Sequence, residues 1–278
     1  MVCSLNITVA QRKGNSYLKD AYVTQPFRIV PVGQYKRDNA AYLMIMSSSP
    51  GLLDKDDHQI KINLQKHTKL QLQTQAYQRL FQMREGSRQT TEIKMDKGTV
   101  FSFVPHPVVP QNASSFVSHN VVEMEKNCHF LLSDIITCGR KLTGELFEYN
   151  HFQNLTEIYV EGKLVVKDNV LLQPQIMPIN QLGILEGYTH QATLIYVNTA
   201  GYAIEDWIER FHEKYSIIKD IAFGISKLSL DGFMIRVLGN GAEILFEMFQ
   251  AIQNDVWEGI MISHTVQIES KEETNSLI

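Results

Sequence analysis

Polar and apolar residues alternate with a period of two along much of the first two-thirds of the chain. His58-Gln59-Ile60-Lys61-Ile62-Asn63-Leu64 is the clearest run, and such alternation marks a strand buried on one face. Lys69-Leu70-Gln71-Leu72-Gln73-Thr74-Gln75 repeats it, with Leu70, Leu72 and Thr74 on one side. Further strands are expected at 90–95, 100–104, 115–122, 129–137, 156–160 and 170–172. Turn signals separate them at Ser49-Pro50-Gly51, Asp96-Lys97-Gly98, Pro105-His106-Pro107 and Glu161-Gly162-Lys163. A strand about every ten to twelve residues points to a sandwich, barrel or solenoid. No repeat of fixed period is visible, which argues against a propeller or a hexapeptide helix.

Past residue 190 the pattern changes. Gln191 to Asn198 reads as a strand, and Ala203 to Tyr215 as an amphipathic helix with Ile204, Trp207, Ile208, Phe211 and Tyr215 on one stripe. Ile221 to Leu228 and Gly232 to Leu238 predict two strands joined at Ser229-Leu230-Asp231-Gly232. A second helix opens at Asn240, with Glu243 three residues on as in a capping box, and buries Leu245, Phe249, Ile252 and Val256. Gly259 to Val266 is expected to be a closing strand, which would complete a β-α-β-β-α-β order. The expected organisation is thus a strand-rich part over 1–190, a C-terminal α/β part over 191–268 packed on it, and a flexible tail over 269–278.

Composition narrows the classes. The 278 residues are 44% apolar and 20% charged, with a formal net charge of -4. That is a globular balance without the positive field that nucleic acid or anionic lipid requires. Met1-Val2-Cys3-Ser4-Leu5-Asn6 lacks the basic and apolar regions of a secretory signal, and no apolar run approaches the roughly 20 residues of a membrane span. A cytoplasmic location is expected. Three cysteines, Cys3, Cys128 and Cys138, are too few and too unevenly spaced for a disulfide framework.

Catalytic signatures are absent. There is no Gly-x-Ser-x-Gly elbow and no His-Glu-x-x-His helix. Gly239-Asn240-Gly241 lacks the residues of a nucleotide cradle and reads as a turn before a helix. The nine histidines are scattered. His106, between two prolines, reads as an exposed turn residue. His129 follows Cys128, and neighbours on a strand point to opposite faces.

The acids say more. Asp54-Lys55-Asp56-Asp57-His58 sets carboxylates beside an imidazole, either as a solvated loop or as part of a path for a divalent cation. Asp134 interrupts the apolar run Phe130 to Ile136, so it is an outward strand residue or a buried acid that needs a partner, with Arg140 near in sequence. Glu145 and Asp168 also sit among apolar residues, and each alone fits a surface ion pair.

Together these stretches resemble one family, the urease accessory protein UreD, called UreH in some bacteria. Ser49-Pro50-Gly51-Leu52-Leu53 followed by Asp56 is similar to its Pro-Gly loop ending in aspartate, and Thr74-Gln75-Ala76 to a Thr-x-Gln/Gly-Ala segment. Phe103 to Pro110 and Asn112-Ala113 resemble its hydrophobic proline turn and the pair after it. Leu132 to Phe147 carries an acid, then Gly139-Arg140, then Gly144-Glu145-Leu146-Phe147, at the family's spacing. Asp168 to Leu172 and Gly187-Tyr188-Thr189-His190 match later segments. One departure is Lys55, which stands where the family usually has glycine before the loop aspartate.

The resemblance implies a mainly β fold: an irregular β-solenoid or β-helix-like stack with a C-terminal α/β portion carrying two helices. It implies a non-enzymatic urease maturation factor that binds UreF, through it the GTPase UreG, and apo-urease, as a dimer of heteromers through UreF. Nickel would be cargo in transit through an internal hydrophilic tunnel, with no cofactor permanently bound. Asp56, Asp134, Glu145 and Asp168 are the positions expected on the nickel path, and Thr74 on its wall. Two other classes stay open: a structural β-scaffold without an ion path, and a β-solenoid enzyme acting on polysaccharides through paired carboxylates.

Overall fold

The computed structural model describes residues 1–33, 36 and 38–276, with side chains as far as residue 262. The chain opens with strands that the sequence reading did not single out. β1 (Val2–Arg12) alternates with Cys3, Leu5, Ile7 and Val9 buried, and pairs with β2 (Asn15–Val23) as an antiparallel hairpin. β3 (Phe27–Pro31) and β4 (Ala41–Ser47) form a second antiparallel pair.

From β4 onward the chain winds in repeated turns. β4 leads through β5 (Gly51–Leu52) to β6 (Asp57–Leu64), and β7 (Lys69–Thr74) through β8 (Gln78–Leu80) to β9 (Ser87–Met95). β10 (Val100–Phe103) leads through β11 (Val108–Pro110) to β12 (Ser115–Met124), and β13 (His129–Ile136) passes a 3-10 turn (Lys141–Thr143) to reach β14 (His151–Val160). The strands that begin these turns start at Ala41, Lys69, Val100 and His129, steps of 28, 31 and 29 residues. Each strand pairs in parallel with its counterpart one turn on: β4, β7, β10 and β13 on one side, β6, β9, β12 and β14 on the other.

The return strands are β15 (Lys163–Leu172), β16 (His190–Asn198), β17 (Ile221–Lys227) and β18 (Gly232–Gly239). They complete a seven-stranded sheet ordered β15-β14-β12-β9-β6-β1-β2 and a second sheet whose main path is β17-β18-β16-β13-β10-β7-β4-β3. The fold is therefore mainly β, and both sheets keep free edges.

Two helices, α1 (Glu205–Tyr215) and α2 (Ala242–Ser276), complete the chain. Trp207, Phe211 and Tyr215 recur every fourth residue and bury one face of α1, as their spacing predicts. Leu245, Phe249, Ile252 and Val256 do the same for α2. Both helices pack on one apolar cluster with Ile135, Tyr196, Phe233 and Val237, on the outer face of the second sheet. The expected closing strand at Gly259 to Val266 is not formed, because that stretch continues α2. Ile260 extends the buried stripe by one more helical turn, whereas a strand there would break it. Of the expected tail, residues 277 and 278 lie outside the described residues.

Between the sheets lie two further clusters. One gathers Leu5, Ile62, Leu70, Phe101, Phe130 and Ile158. The other gathers Leu52, Leu80, Phe116, Phe152 and Leu172 at the opposite ends of the strands. The Pro50-Gly51 turn serves this packing. A Cβ on Gly51 would lie 2.2 Å from the carbonyl oxygen of Arg79, its partner on β8. Gly51→Ala is therefore expected to cost roughly 1–3 kcal/mol of stability through forced backbone movement. Gly224→Ala, whose nearest contact is 4.0 Å away, should stay within about 0.5 kcal/mol of the parent. Urea denaturation of the two variants side by side checks the pair.

Candidate functional site

The two inter-sheet clusters are separated by a polar belt, and strand register builds it. Parallel pairing in register sets residues of equal height side by side. On the seven-stranded sheet, His58, Gln89, Ser118 and Asn154 share one level, and Thr91, Asn120, Thr156 and Asp168 the next. Along β12 the inward sequence is thus Phe116, Ser118, Asn120, Val122: apolar, polar, polar, apolar. The facing sheet contributes Asp134, which pairs with Thr193, which in turn pairs with Arg236. These short polar side chains leave space, and a cavity of about 1020 Å³ opens between the sheets.

Hydrogen bonds satisfy most of the belt. The amide of Asn120 donates to Asn154 Oδ1 at 2.9 Å and to Thr156 Oγ1 at 3.1 Å. Thr74 lines the cavity, and its Oγ1 accepts the backbone N–H of His106 at 2.8 Å and lies 2.9 Å from His106 Nδ1. His106 is therefore not the exposed turn residue expected from its prolines. Its ring is part-buried, 4.3 Å from that of Phe246 on α2, which packs over this corner.

Asp134 is the exceptional acid. It lines the cavity, and its hydrogen-bond partner is Asn154 across the sheets rather than Arg140. Burial pushes its carboxyl up to about 6; the bond from Asn154 pulls down, and the charge of Asp168 adds to the rise. Asp168 is itself buried and bound by Arg236 of β18, an ion pair that ties the two sheets together where the belt ends. Asp134, Asp168 and Thr74 thus belong to one belt.

Asp56 and Glu145 lie elsewhere. Asp56 accepts the N–H of Leu53 at 2.9 Å and pairs with the Met1 ammonium at 3.3 Å. Lys55, which stands where the resemblance expects glycine, has φ 67, a left-handed conformation at a steric cost of order 1–2 kcal/mol that glycine would avoid. Glu145 is buried in a smaller pocket with Gln111, Asn112 and Glu148. Burial raises its carboxyl, but the Arg140 guanidinium and the N–H groups of Arg140 and Asn112 hold it below the usual range. Arg140, the sequence-near partner expected for Asp134, is committed here.

The sequence reading missed the amide and hydroxyl levels, inward positions in strands whose polar residues look solvated; His58 it placed in the acidic loop, and the structure sets it inward on β6. Only the thirty-residue register reveals them. Among the described residues no three His, Cys, Asp or Glu side chains gather as a metal cluster. No helix is long and apolar enough to cross a membrane.

Comparison with known proteins adds a name to this geometry. A family model described as UreD urease accessory protein matches residues 2–267. The urease accessory protein UreD of Flavobacterium johnsoniae is 47% identical over 257 residues, covering 92% of this chain and 93% of its own. That of Actinobacillus pleuropneumoniae serotype 3 is 33% identical, covering 86% and 91%, and that of Acetivibrio thermocellus 29% identical, covering 87% and 92%.

The raised carboxyl of Asp134 carries a sign. Folding favours its protonated form, so its contribution is most stabilising below the unfolded value of 3.8 and is lost as pH rises through about 6. Asp134→Asn should remove this penalty. The variant is expected to be more stable than the parent by roughly 1–2 kcal/mol at pH 7.5, cavity water screening part of the effect. The gain should shrink towards zero below pH 4. Urea midpoints for both proteins across that range test it.

Proposed function

The chain belongs to the UreD urease accessory protein family, and we propose that it serves urease maturation as a non-enzymatic conduit for nickel. In this reading it binds UreF, and through UreF the GTPase UreG, and the assembly docks on apo-urease in the cytoplasm as a dimer of heteromers. The parallel ladders are then turns of an irregular solenoid, and the belt between its two sheets is the hydrophilic tunnel.

The observation that carries the reading is Asp134: a cavity-lining carboxylate with an amide for a partner and, among the described residues, no Lys, Arg or His paired with it. A conduit needs groups that replace part of an ion's hydration shell one at a time. Hydroxyl and amide oxygens bind a divalent cation weakly, and a single carboxylate binds it more strongly without completing a site. Four converging strong ligands would instead hold the ion. The levels of Gln89, Ser118, Asn120 and Asn154 offer weak donors at strand spacing, about 4.8 Å per step, which suits handing on rather than storage.

Asp168 stands at the end of this belt, where exchange with Arg236 would admit the ion. Asp56 and Glu145 are kept as positions at which the path would enter or leave, each only after displacing the cation that now pairs with it. Leu142, fully exposed and at the cavity's rim beside Lys141, supports partner docking there. Ion pairing of Asp56, Glu145 and Asp168 also favours a second reading, a scaffold with no ion path.

Asp134→Ala separates the two. Co-expressed with UreF, UreG and urease, the variant should still co-purify with UreF while nickel per urease falls at least several-fold. Nickel is read by elemental analysis of purified urease. Full nickel content in a variant with Asp134, Glu145 and Asp168 all changed to Ala, with UreF still bound, would leave the scaffold standing and remove the conduit.

A further inference from the structure

We propose that His58 is a nitrogen ligand on this path, and that its imidazole selects a borderline divalent cation of the nickel type over magnesium. The inference rests on the conduit reading and goes beyond it by assigning selectivity to one side chain.

Three histidines line the cavity: His58, His106 and His190. Two are engaged in ways that disfavour a cation. Thr74 Oγ1 accepts the backbone N–H of His106 and is hydrogen-bonded to His106 Nδ1 at 2.9 Å, which holds the ring against Phe246. His190 Nδ1 is bonded to Thr189 Oγ1, which also receives the ammonium of Lys141 at 3.2 Å. A lysine charge one hydroxyl away repels an incoming metal ion.

His58 differs on each count. It is 4% exposed, its ring packs edge-on to Phe27 at 4.7 Å, and its Nε2 is buried without any hydrogen-bond partner. A buried polar nitrogen left unsatisfied costs about 1–3 kcal/mol, so its retention in a polar belt calls for a ligand. The charges that act on it are the carboxylates of Asp56 and Asp57 and the Met1 ammonium. Met1 pairs with Asp56 and Arg88 with Asp57, so no net positive charge near it opposes a cation.

Position makes the ligand useful. Gln89 sits level with His58 on the next strand, with Ser118 and then Asn154 beyond it. His58 and Asp134 therefore mark opposite ends of the belt, with weak oxygen donors between. An all-oxygen path would accept magnesium as readily as nickel, whereas imidazole favours nickel strongly.

The test uses the full chain in complex with UreF. One equivalent of NiCl2 is added in the presence of excess MgCl2, and nickel K-edge X-ray absorption is recorded together with equilibrium dialysis. The parent should show imidazole scattering and hold nickel at least about tenfold more tightly than His58→Gln. His106→Gln should keep both properties. His58→Asn and thermal melting guard against a folding defect, and the parent spectrum stands whichever variant folds.

Absence of imidazole scattering from the parent, or its persistence in both His58 variants, would overturn the inference. The two layers fail differently. If Asp134→Ala starves urease of nickel while His58→Gln leaves spectrum and affinity unchanged, the conduit survives and the role of His58 does not. If neither substitution alters the nickel content of urease, the conduit itself is lost.

Discussion

In a stack of parallel strands held in register, each height along the strands acquires one chemistry, because residues of equal height lie side by side at every turn. Here that constraint writes apolar levels at both ends and two polar levels between them, the first over β6, β9, β12 and β14 and the second over β9, β12 and β14. The cavity follows from it. Serine, threonine and asparagine are short and bond to each other along the level, as Asn120 does with Asn154 and Thr156. They satisfy their own polar atoms without filling the gap between the sheets. The flanking levels of Phe116 and Phe152 on one side and Val122 and Ile158 on the other close the belt with packed side chains. The polar region is thus a corridor running across the strands, along the direction of stacking.

A corridor of this kind has a stability cost, and the ends of the fold offset it. Arg236 reaches from one sheet to Asp168 on the other, so the buried carboxylate at the last level is neutralised by a bond that also pins the sheets together. The helices do the rest from outside. Trp257 of α2 donates its indole N–H to Asp38 at 3.0 Å, and Gln253 bonds Ser102 at 2.7 Å. Phe246 meanwhile covers His106 at the corner. The outer face of the second sheet is thereby made apolar and rigid, which leaves its inner face free to carry polar groups.

Much of this was legible in the chain and some was not, for identifiable reasons. Alternation at 58–64 and at 69–74 locates β6 and β7 because one face of each is apolar at every second residue. The stripe of Trp207, Phe211 and Tyr215 locates α1 in the same way. β5, β8 and β11 are two or three residues long, too short for any period to register. The stretch after Gly259 misleads because a short apolar run fits a strand and a helix equally, and only the continuing stripe through Ile260 decides. The belt is harder still. Ser118 and Asn120 look like solvated positions of a half-buried strand until their neighbours one turn away are known, and turns of 28, 31 and 29 residues hide that alignment. The acids that family resemblance picks out are visible, yet their partners are not: Arg140, near Asp134 in sequence, turns away to Glu145.

The acidic run before β6 shows how pairing sorts structural charges from functional ones. Asp54 Oδ1 receives the N–H groups of Glu85, Gly86 and Arg84, which hold its carboxyl below the usual range. Asp56 takes the Met1 ammonium, and Asp57 takes Arg88 at 2.7 Å. Each carboxylate in the run therefore closes a loop or fixes a strand end, and the left-handed Lys55 is the strained turn that lets three acids find three different partners. What the run delivers to the interior is the next residue, an imidazole whose Nε2 bonds to nothing. Across the belt the same rule holds, for Asp168 is paired and Asp134 is met only by an amide. The groups that the fold has satisfied hold it together. Among the groups that it leaves less satisfied are one nitrogen, His58 Nε2, and one carboxylate, that of Asp134, and both line the same cavity.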